Sequence, residues 1–205
     1  MTEPTQRRRG VVTALVLAVA AGVGPALGET GLDAAERGDF TTARKIWTEE
    51  AEAGDPAAAY NLGRMYTNGD GVRQSDQKAF EWYRTAAEGG LAQAQFQLGY
   101  MYAAGQGVRT DLRKAIIWTG RAARQGHAQA QANLPEMQEY LAAYYHSDGQ
   151  DKMRAWVWYS LAGENGSSLG REMAQILPEV MTAQELRQAE AMLRECRRTR
   201  YVVCD

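Results

Sequence analysis

Gly54-Asp55-Pro56-Ala57-Ala58-Ala59-Tyr60-Asn61-Leu62-Gly63 decides how this chain folds, because the stretch returns twice at one spacing. It comes back as Gly90-Leu91-Ala92-Gln93-Ala94-Gln95-Phe96-Gln97-Leu98-Gly99. It comes back again as Gly126-His127-Ala128-Gln129-Ala130-Gln131-Ala132-Asn133-Leu134-Pro135. The copies start at 54, 90 and 126, a period of 36 residues. A fixed period of that size marks an array in which each unit buries its apolar face only against its neighbours. Such arrays more often bind other molecules than transform them.

Each period splits into two short helices. Asp55-Pro56 opens the first, since Asp suits an N-cap and Pro suits a first helical position that needs no N–H. Ala58, Leu62 and Tyr66 then fall at i, i+4 and i+8 with Met65 beside them, one apolar stripe. Asn68-Gly69-Asp70-Gly71 is a glycine-rich stop. A second helix is expected from about Asp76, burying Ala79, Trp82, Tyr83, Ala86 and Ala87 before Gly89-Gly90. The pattern recurs with Leu98, Met101, Tyr102, then Gly105-Gln106-Gly107, then Ala115, Trp118 and Ala122. No segment alternates with period two, so strands are not expected.

Gly63 and Gly99 recur at one register inside helices, where Gly costs about 0.5–1 kcal/mol relative to Ala; the repetition argues for close helix approach. Pro135 stands at that register in the third unit and predicts a kink or a broken turn. Beyond it, Glu139-Tyr140-Leu141-Ala142-Ala143-Tyr144-Tyr145 replaces the Gly-x-Gly loop and predicts a prolonged helix. The third unit is therefore expected to bend or end the regular surface.

Leu62-Gly63-Arg64-Met65-Tyr66 with Gly69-Asp70-Gly71-Val72, and Leu98-Gly99-Tyr100-Met101-Tyr102 with Gly105-Gln106-Gly107-Val108, resemble the Sel-one-like repeat, a relative of the tetratricopeptide repeat. Ala79-Phe80-Glu81-Trp82-Tyr83 through Ala86-Ala87 resembles its second helix. Gly38-Asp39-Phe40 through Trp47 looks like the second helix of an opening half-unit, and Ala155-Trp156-Val157-Trp158-Tyr159 like a closing one. Thr182-Ala183-Gln184-Glu185 is a capping box that starts a last helix. The resemblance implies an all-α, right-handed α-solenoid of antiparallel helix pairs acting as an adaptor or scaffold. Its expected layout is a half-unit over 31–54, repeats over about 55–90, 91–126 and 127–166, a C-terminal cap over 167–200, and a tail over 201–205.

Residues 1–28 read apart from this array. Arg7-Arg8-Arg9 precede an uncharged run from Gly10 to Gly28, and Ala26-Leu27-Gly28 puts small residues at a cleavage site. A secretory signal peptide is expected, with an uncleaved anchor as the alternative. Cleavage would leave 20 basic against 24 acidic residues and no stable membrane span, in a periplasmic or secreted protein. Near-balanced charge gives no case for nucleic acid. The only two cysteines, Cys196 and Cys204, sit close together near the C-terminus. In an oxidising compartment they are expected to form a disulfide tying down the tail; two free thiols are the alternative.

In tetratricopeptide-like stacks the first helix of each pair lines the concave surface, so its positions off the apolar stripe are the candidate contacts. These are Asn61 and Arg64, then Gln93, Gln97 and Tyr100, then Gln129 and Asn133. Asn61, Gln97 and Asn133 share one register, a ladder of carboxamides that could hold the backbone of an extended protein or peptide partner. A solvated, Gln-rich helix face is the plainer reading. Trp82, Trp118 and Trp158 occupy equivalent positions and read as packing residues.

No nucleophile elbow, phosphate-cradling loop or Cys/His pair is present, and His127 and His146 lack a neighbouring ligand at metal spacing. The chain is expected to be a monomeric, non-enzymatic binding module without cofactor or metal. The resemblance supplies one enzymatic alternative, because cysteine-rich secreted relatives are linked to β-lactam binding and hydrolysis. Those relatives carry a disulfide in each repeat, and this chain has no cysteine inside its repeats.

Overall fold

The computed structural model describes residues 29–147 and 151–204. The segment read as an export signal lies outside them, as does Asp205. Ten α-helices follow in order: α1 (Gly31–Glu36), α2 (Phe40–Glu52), α3 (Pro56–Asn68), α4 (Asp76–Glu88), α5 (Ala92–Ala104), α6 (Leu112–Arg124), α7 (Ala128–Ser147), α8 (Lys152–Glu164), α9 (Ser168–Ile176) and α10 (Ala183–Arg198). A single 3-10 turn, Leu177–Val180, separates α9 from α10, and the described residues contain no strand.

The caps repeat as faithfully as the core does. Asp39, Ser75 and Asp111 lie one period apart, and their side chains accept from the backbone N–H of Thr42, Lys78 and Lys114 to start α2, α4 and α6. Asp151 caps α8 in the same way through Arg154 N–H. Each cap satisfies a donor that has no partner within its helix, typically worth about 1 kcal/mol. At the other end of the first helices, Gly69 and Gly105 take left-handed backbone (φ 84° and 71°) and return their N–H groups to Met65 and Met101 oxygens. The second glycine of that loop has a different task. A Cβ on Gly107 would lie 2.2 Å from the Asp76 carbonyl oxygen, so the loop presses directly on the first turn of α4.

Consecutive helices from α1 to α9 pack on one another, α10 folds back onto α8, and the result is an all-α solenoid of helix pairs. One core cluster runs through Ala43, Trp47, Leu62, Met65, Tyr83 and Leu98. A second runs through Ile116, Leu134, Trp158, Leu161, Leu193 and Cys196. Leu62, Leu98 and Leu161 are fully buried, and each such side chain contributes about 1.5–3 kcal/mol. The crossings are tight at the glycine register. A Cβ on Gly63 would meet the Tyr83 ring at 2.7 Å, and one on Gly99 would meet Thr119 Oγ1 at 2.4 Å. The close approach argued from the repeated glycines is therefore present.

Three details differ from the sequence reading. The helix containing Pro135 is not interrupted: α7 runs as one element from Ala128 to Ser147. Proline costs it the bond that its own N–H would have donated and crowds the carbonyl of the preceding turn, and packing on α6 and α8 offsets that cost. Trp82 and Trp118 are half-buried at the rim of the core, whereas Trp158 is sealed inside it. The inward positions of α4 and α6 belong to Tyr83 and Thr119, one residue further on. The opening unit carries a first helix of its own, the six-residue α1, begun by a capping box between Thr30 and Asp33.

Candidate functional site: the first-helix groove

The candidate surface is built from α3, α5 and α7, the first helices of successive pairs. Between α3 and α5 lies a cleft of about 250 Å³ whose lining includes Arg64, Thr67, Asp76, Tyr83, Gln97 and Tyr100. Between α5 and α7 lies a second, of about 190 Å³, lined by Phe96, Tyr100, Thr119, Asn133 and Glu136 among others. Tyr100 borders both clefts and joins them, with 51% of its surface in solvent.

The structure thus brings four of the sequence-derived candidates, Arg64, Gln97, Tyr100 and Asn133, onto the walls of adjoining clefts. Asn61 is half-buried beside them and lines neither cleft. Gln93 and Gln129 are exposed at the first turns of α5 and α7, also outside both clefts. Within the described residues, Asn61, Gln97 and Asn133 make no side-chain hydrogen bond, and Arg64 makes no ion pair. Tyr83 contributes from α4. Its hydroxyl lies 3.3 Å from Thr67 Oγ1, whose single proton also reaches the Gly63 carbonyl oxygen at 3.0 Å. Burial pushes that phenol above its ordinary pKa, with the Thr67 hydrogen bond opposing, so it stays neutral. The clefts therefore offer uncharged donors and acceptors, four aromatic rings (Tyr60, Tyr83, Phe96 and Tyr100), one cation at Arg64 and carboxylates at Asp76 and Glu136.

Other carboxamides do structural work. Gln95 Nε2 donates to Ala87 oxygen (3.2 Å), and Gln131 Nε2 donates to Ala123 oxygen (3.0 Å). Donors and acceptors in these two bonds are one period apart, and each bond satisfies a carbonyl in the last turn of the preceding second helix. Gln95 is buried, and Gln125 Nε2 also donates to its Oε1 at 2.7 Å. Gln95 and Gln97 are two positions apart on α5, hence about 200° apart around the helix, which separates the bonded carboxamide from the free one.

Sequence reasoning does not single out Tyr140 and Tyr144, which are 71% and 51% exposed on α7. Asn133, Glu136, Tyr140 and Tyr144 stand at i, i+3, i+7 and i+11, so they share one face of the prolonged helix. The signal for them is that register, continued past Pro135. His127 is accounted for structurally: its ring stacks on Phe96 (centroids 4.7 Å apart), and its Nδ1 accepts from Ala130 N–H. Among the described residues no group of three or more His, Cys, Asp or Glu side chains could hold a metal ion, and no helix is long and apolar enough to cross a membrane.

A chain of helix pairs in register, with a groove of polar and aromatic side chains on one helix set, is a repeat scaffold of the protein-interaction class. The Sel1 repeat matches it over residues 56–91, 92–127 and 135–167, and the chain belongs to the Sel1 repeat family, whose repeats typically mediate contacts between proteins. No curated protein sequence matches the chain significantly. Two solved structures are similar. One is a Sel1 repeat protein from Oxalobacter formigenes, 29% identical over 68% of this chain and 56% of that one, with a TM-score of 0.49. The other is c5321, a protective antigen of uropathogenic Escherichia coli strains displaying an SLR fold. It is 32% identical over 80% of this chain and 39% of that one, with a TM-score of 0.44. The chain thus spans about half or less of the length of these relatives.

Proposed function

We propose that this protein is an exported, non-enzymatic adaptor that holds an extended segment of a protein partner along the face of α3, α5 and α7. The observation that carries this reading is the unsatisfied state of Gln97 and Asn133 on adjoining cleft walls, while Gln95 and Gln131 are consumed by backbone carbonyls. A carboxamide that both donates and accepts can pair with a peptide backbone irrespective of its side chains. Tyr100 supplies a rigid aromatic contact between the two clefts, and Arg64 can meet a carboxylate on the partner. The disulfide between Cys196 and Cys204 is compatible with an oxidising compartment, periplasmic or extracellular.

Photo-crosslinking in intact cells tests the reading, with a probe at Gln97 and a second at the exposed Glu81 on α4. The expected result is a discrete adduct from the Gln97 probe that disappears when Asn133 and Tyr100 are replaced by Ala. Adducts from Glu81 alone would sink the groove assignment. Hydrolysis of a chromogenic β-lactam by the purified chain would overturn the binding-only reading in favour of the enzymatic alternative.

A further inference from the structure

The C-terminal tail builds a second cavity, away from the groove. Its Cys196–Cys204 bond folds the tail back after α10, and Tyr201 settles on Gly120, where an added Cβ would lie 2.7 Å from the ring. Asn165 Nδ2 donates to the Tyr201 hydroxyl at 3.3 Å. Between this tail and the end of α6 is a cavity of about 590 Å³ lined by Arg121, Arg124, Gln125, Thr199, Arg200 and Gln95 among others. Three guanidinium groups face it, and no described carboxylate lines it.

The surrounding acids are engaged elsewhere. Glu164, which borders the adjacent hollow, is paired with Arg197, and Glu195 is paired with Arg198. Arg121, Arg124 and Arg200 make no ion pair within the described residues. Arg121 and Arg124 lie in the last turn of α6, where the helix dipole favours cations. That dipole is equivalent to only about half a negative charge, and Arg200 brings a third positive charge from a different element. Burial, and then the positive charges of Arg200 and Arg121, push the Arg124 guanidinium below its ordinary pKa, with Tyr201 opposing. The three cations are therefore near one another and are not paired with any described carboxylate.

Two of them are also held in place. The Arg121 guanidinium lies 4.3 Å from the centre of the Trp118 ring, and that of Arg124 lies 5.8 Å from the Tyr201 ring. Stacking on an aromatic face fixes a guanidinium without neutralising it. Gln125 is anchored by its bonds to Gly90 oxygen (3.0 Å) and Gln95, so its remaining amide oxygen adds a fixed polar wall. Half-buried Trp118 acquires a reason for its position: it is the platform for Arg121.

We infer that this cavity binds a multiply charged oxyanion, the phosphate or carboxylate groups of a small ligand. Guanidinium forks match both groups bidentately, and the volume admits a molecule larger than a lone inorganic ion. The site shares no lining residue with the α3–α5–α7 groove, so either assignment can fail without the other.

Calorimetric titration of the purified, oxidised chain with pyrophosphate and, separately, with citrate tests the inference. Saturable binding of at least one is expected, and the preferred probe assigns the ligand as phosphate- or carboxylate-bearing. Arg121→Gln and Arg200→Asn should each weaken binding by about tenfold, the worth of one charge-assisted pair. Asn suits position 200, whose φ of 56° is left-handed, so the variant keeps the tail's conformation. Arg44→Gln, on the exposed face of α2, should leave the affinity unchanged. Absence of saturable binding at millimolar probe would overturn the site. So would full binding by an Arg121→Gln/Arg200→Asn double variant whose thermal midpoint matches that of the parent.

Discussion

Replacing Gly99 by Ala measures how closely the helix pairs approach. An isolated helix would gain about 1 kcal/mol from the change, because Ala is the better helix former. In this fold the added methyl would lie 2.4 Å from Thr119 Oγ1 and 3.1 Å from both Ala115 O and Thr119 N. Thr119 can rotate its hydroxyl away, but the two 3.1 Å neighbours are backbone of α6 and move only with the whole helix. Spreading α5 from α6 by a few tenths of an ångström loosens Leu98 and Ile116, both fully buried. Overpacking costs about 1–3 kcal/mol, and the two backbone neighbours put this case in the upper half of that range, so after the propensity gain a net destabilisation of about 1–2 kcal/mol is expected. Urea unfolding followed by circular dichroism should show a lower midpoint at unchanged slope. Adding Thr119→Ala to Gly99→Ala should recover part of the loss, giving a favourable coupling of about 0.5–1 kcal/mol. A Gly99→Ala variant as stable as the parent, or more stable, would refute the close-crossing account of the repeated glycine.

Removing the disulfide through Cys204→Ser should cost about 2–3 kcal/mol, the chain-entropy worth of so short a loop, read as a lower urea midpoint. Gln95→Ala should cost about 0.5–1.5 kcal/mol, because the Ala87 carbonyl, which keeps Gly90 N–H, and Gln125, which keeps Gly90 oxygen, each lose one partner; an unchanged midpoint would show that water replaces it. Acid should destabilise the caps in a defined window. Hydrogen bonds from Thr42 to Asp39 and from Thr182 to Glu185 hold these carboxyls below their ordinary pKa, and N–H donation from Lys114 does the same for Asp111 against its burial. Depressed folded values mean that the stabilisation is complete above the unfolded carboxylate range of about 4 and is lost as pH falls below it. Midpoints measured from pH 7 down to 3 should therefore stay level to about pH 5 and then decline; a decline already complete at pH 5 would contradict the assignment.

The helix pairs were legible because their information is local and repeated: an apolar stripe, a capping residue and a glycine stop recur at one spacing. What stayed hidden depends on angles and on distant chain. Trp82 and Tyr83 are neighbours about 100° apart on α4, and an apolar pattern alone does not decide which of them faces inward. Residue type alone could not separate Gln95, which meets a carbonyl, from Gln97, which meets solvent. The hint was that Gln95 and Gln131 stand one period apart, each following a helix end by the same interval. The arginine cavity left no local trace, because Arg121 and Arg200 are far apart in sequence and meet only when the disulfide-bound tail returns to α6.

The third unit shows how a lapse in the repeat can add surface. Losing the Gly-x-Gly stop lets α7 run for 20 residues, against 13 in α3 and in α5. At 1.5 Å per residue α7 is about 30 Å long, roughly 10 Å longer than either neighbour. Pro135 does not end it, because by the eighth residue the helix is already nucleated and both flanks are packed. Tyr140 ends the length shared with α3 and α5, and the added turns carry Tyr144, both on the same face as Asn133. Carboxamides in the first part of this face can hold a peptide backbone without regard to sequence, so they supply little discrimination. Large half-exposed rings discriminate by what packs on them. A partner read by this surface would therefore be gripped generically along α3 and α5 and chosen at the far end of α7.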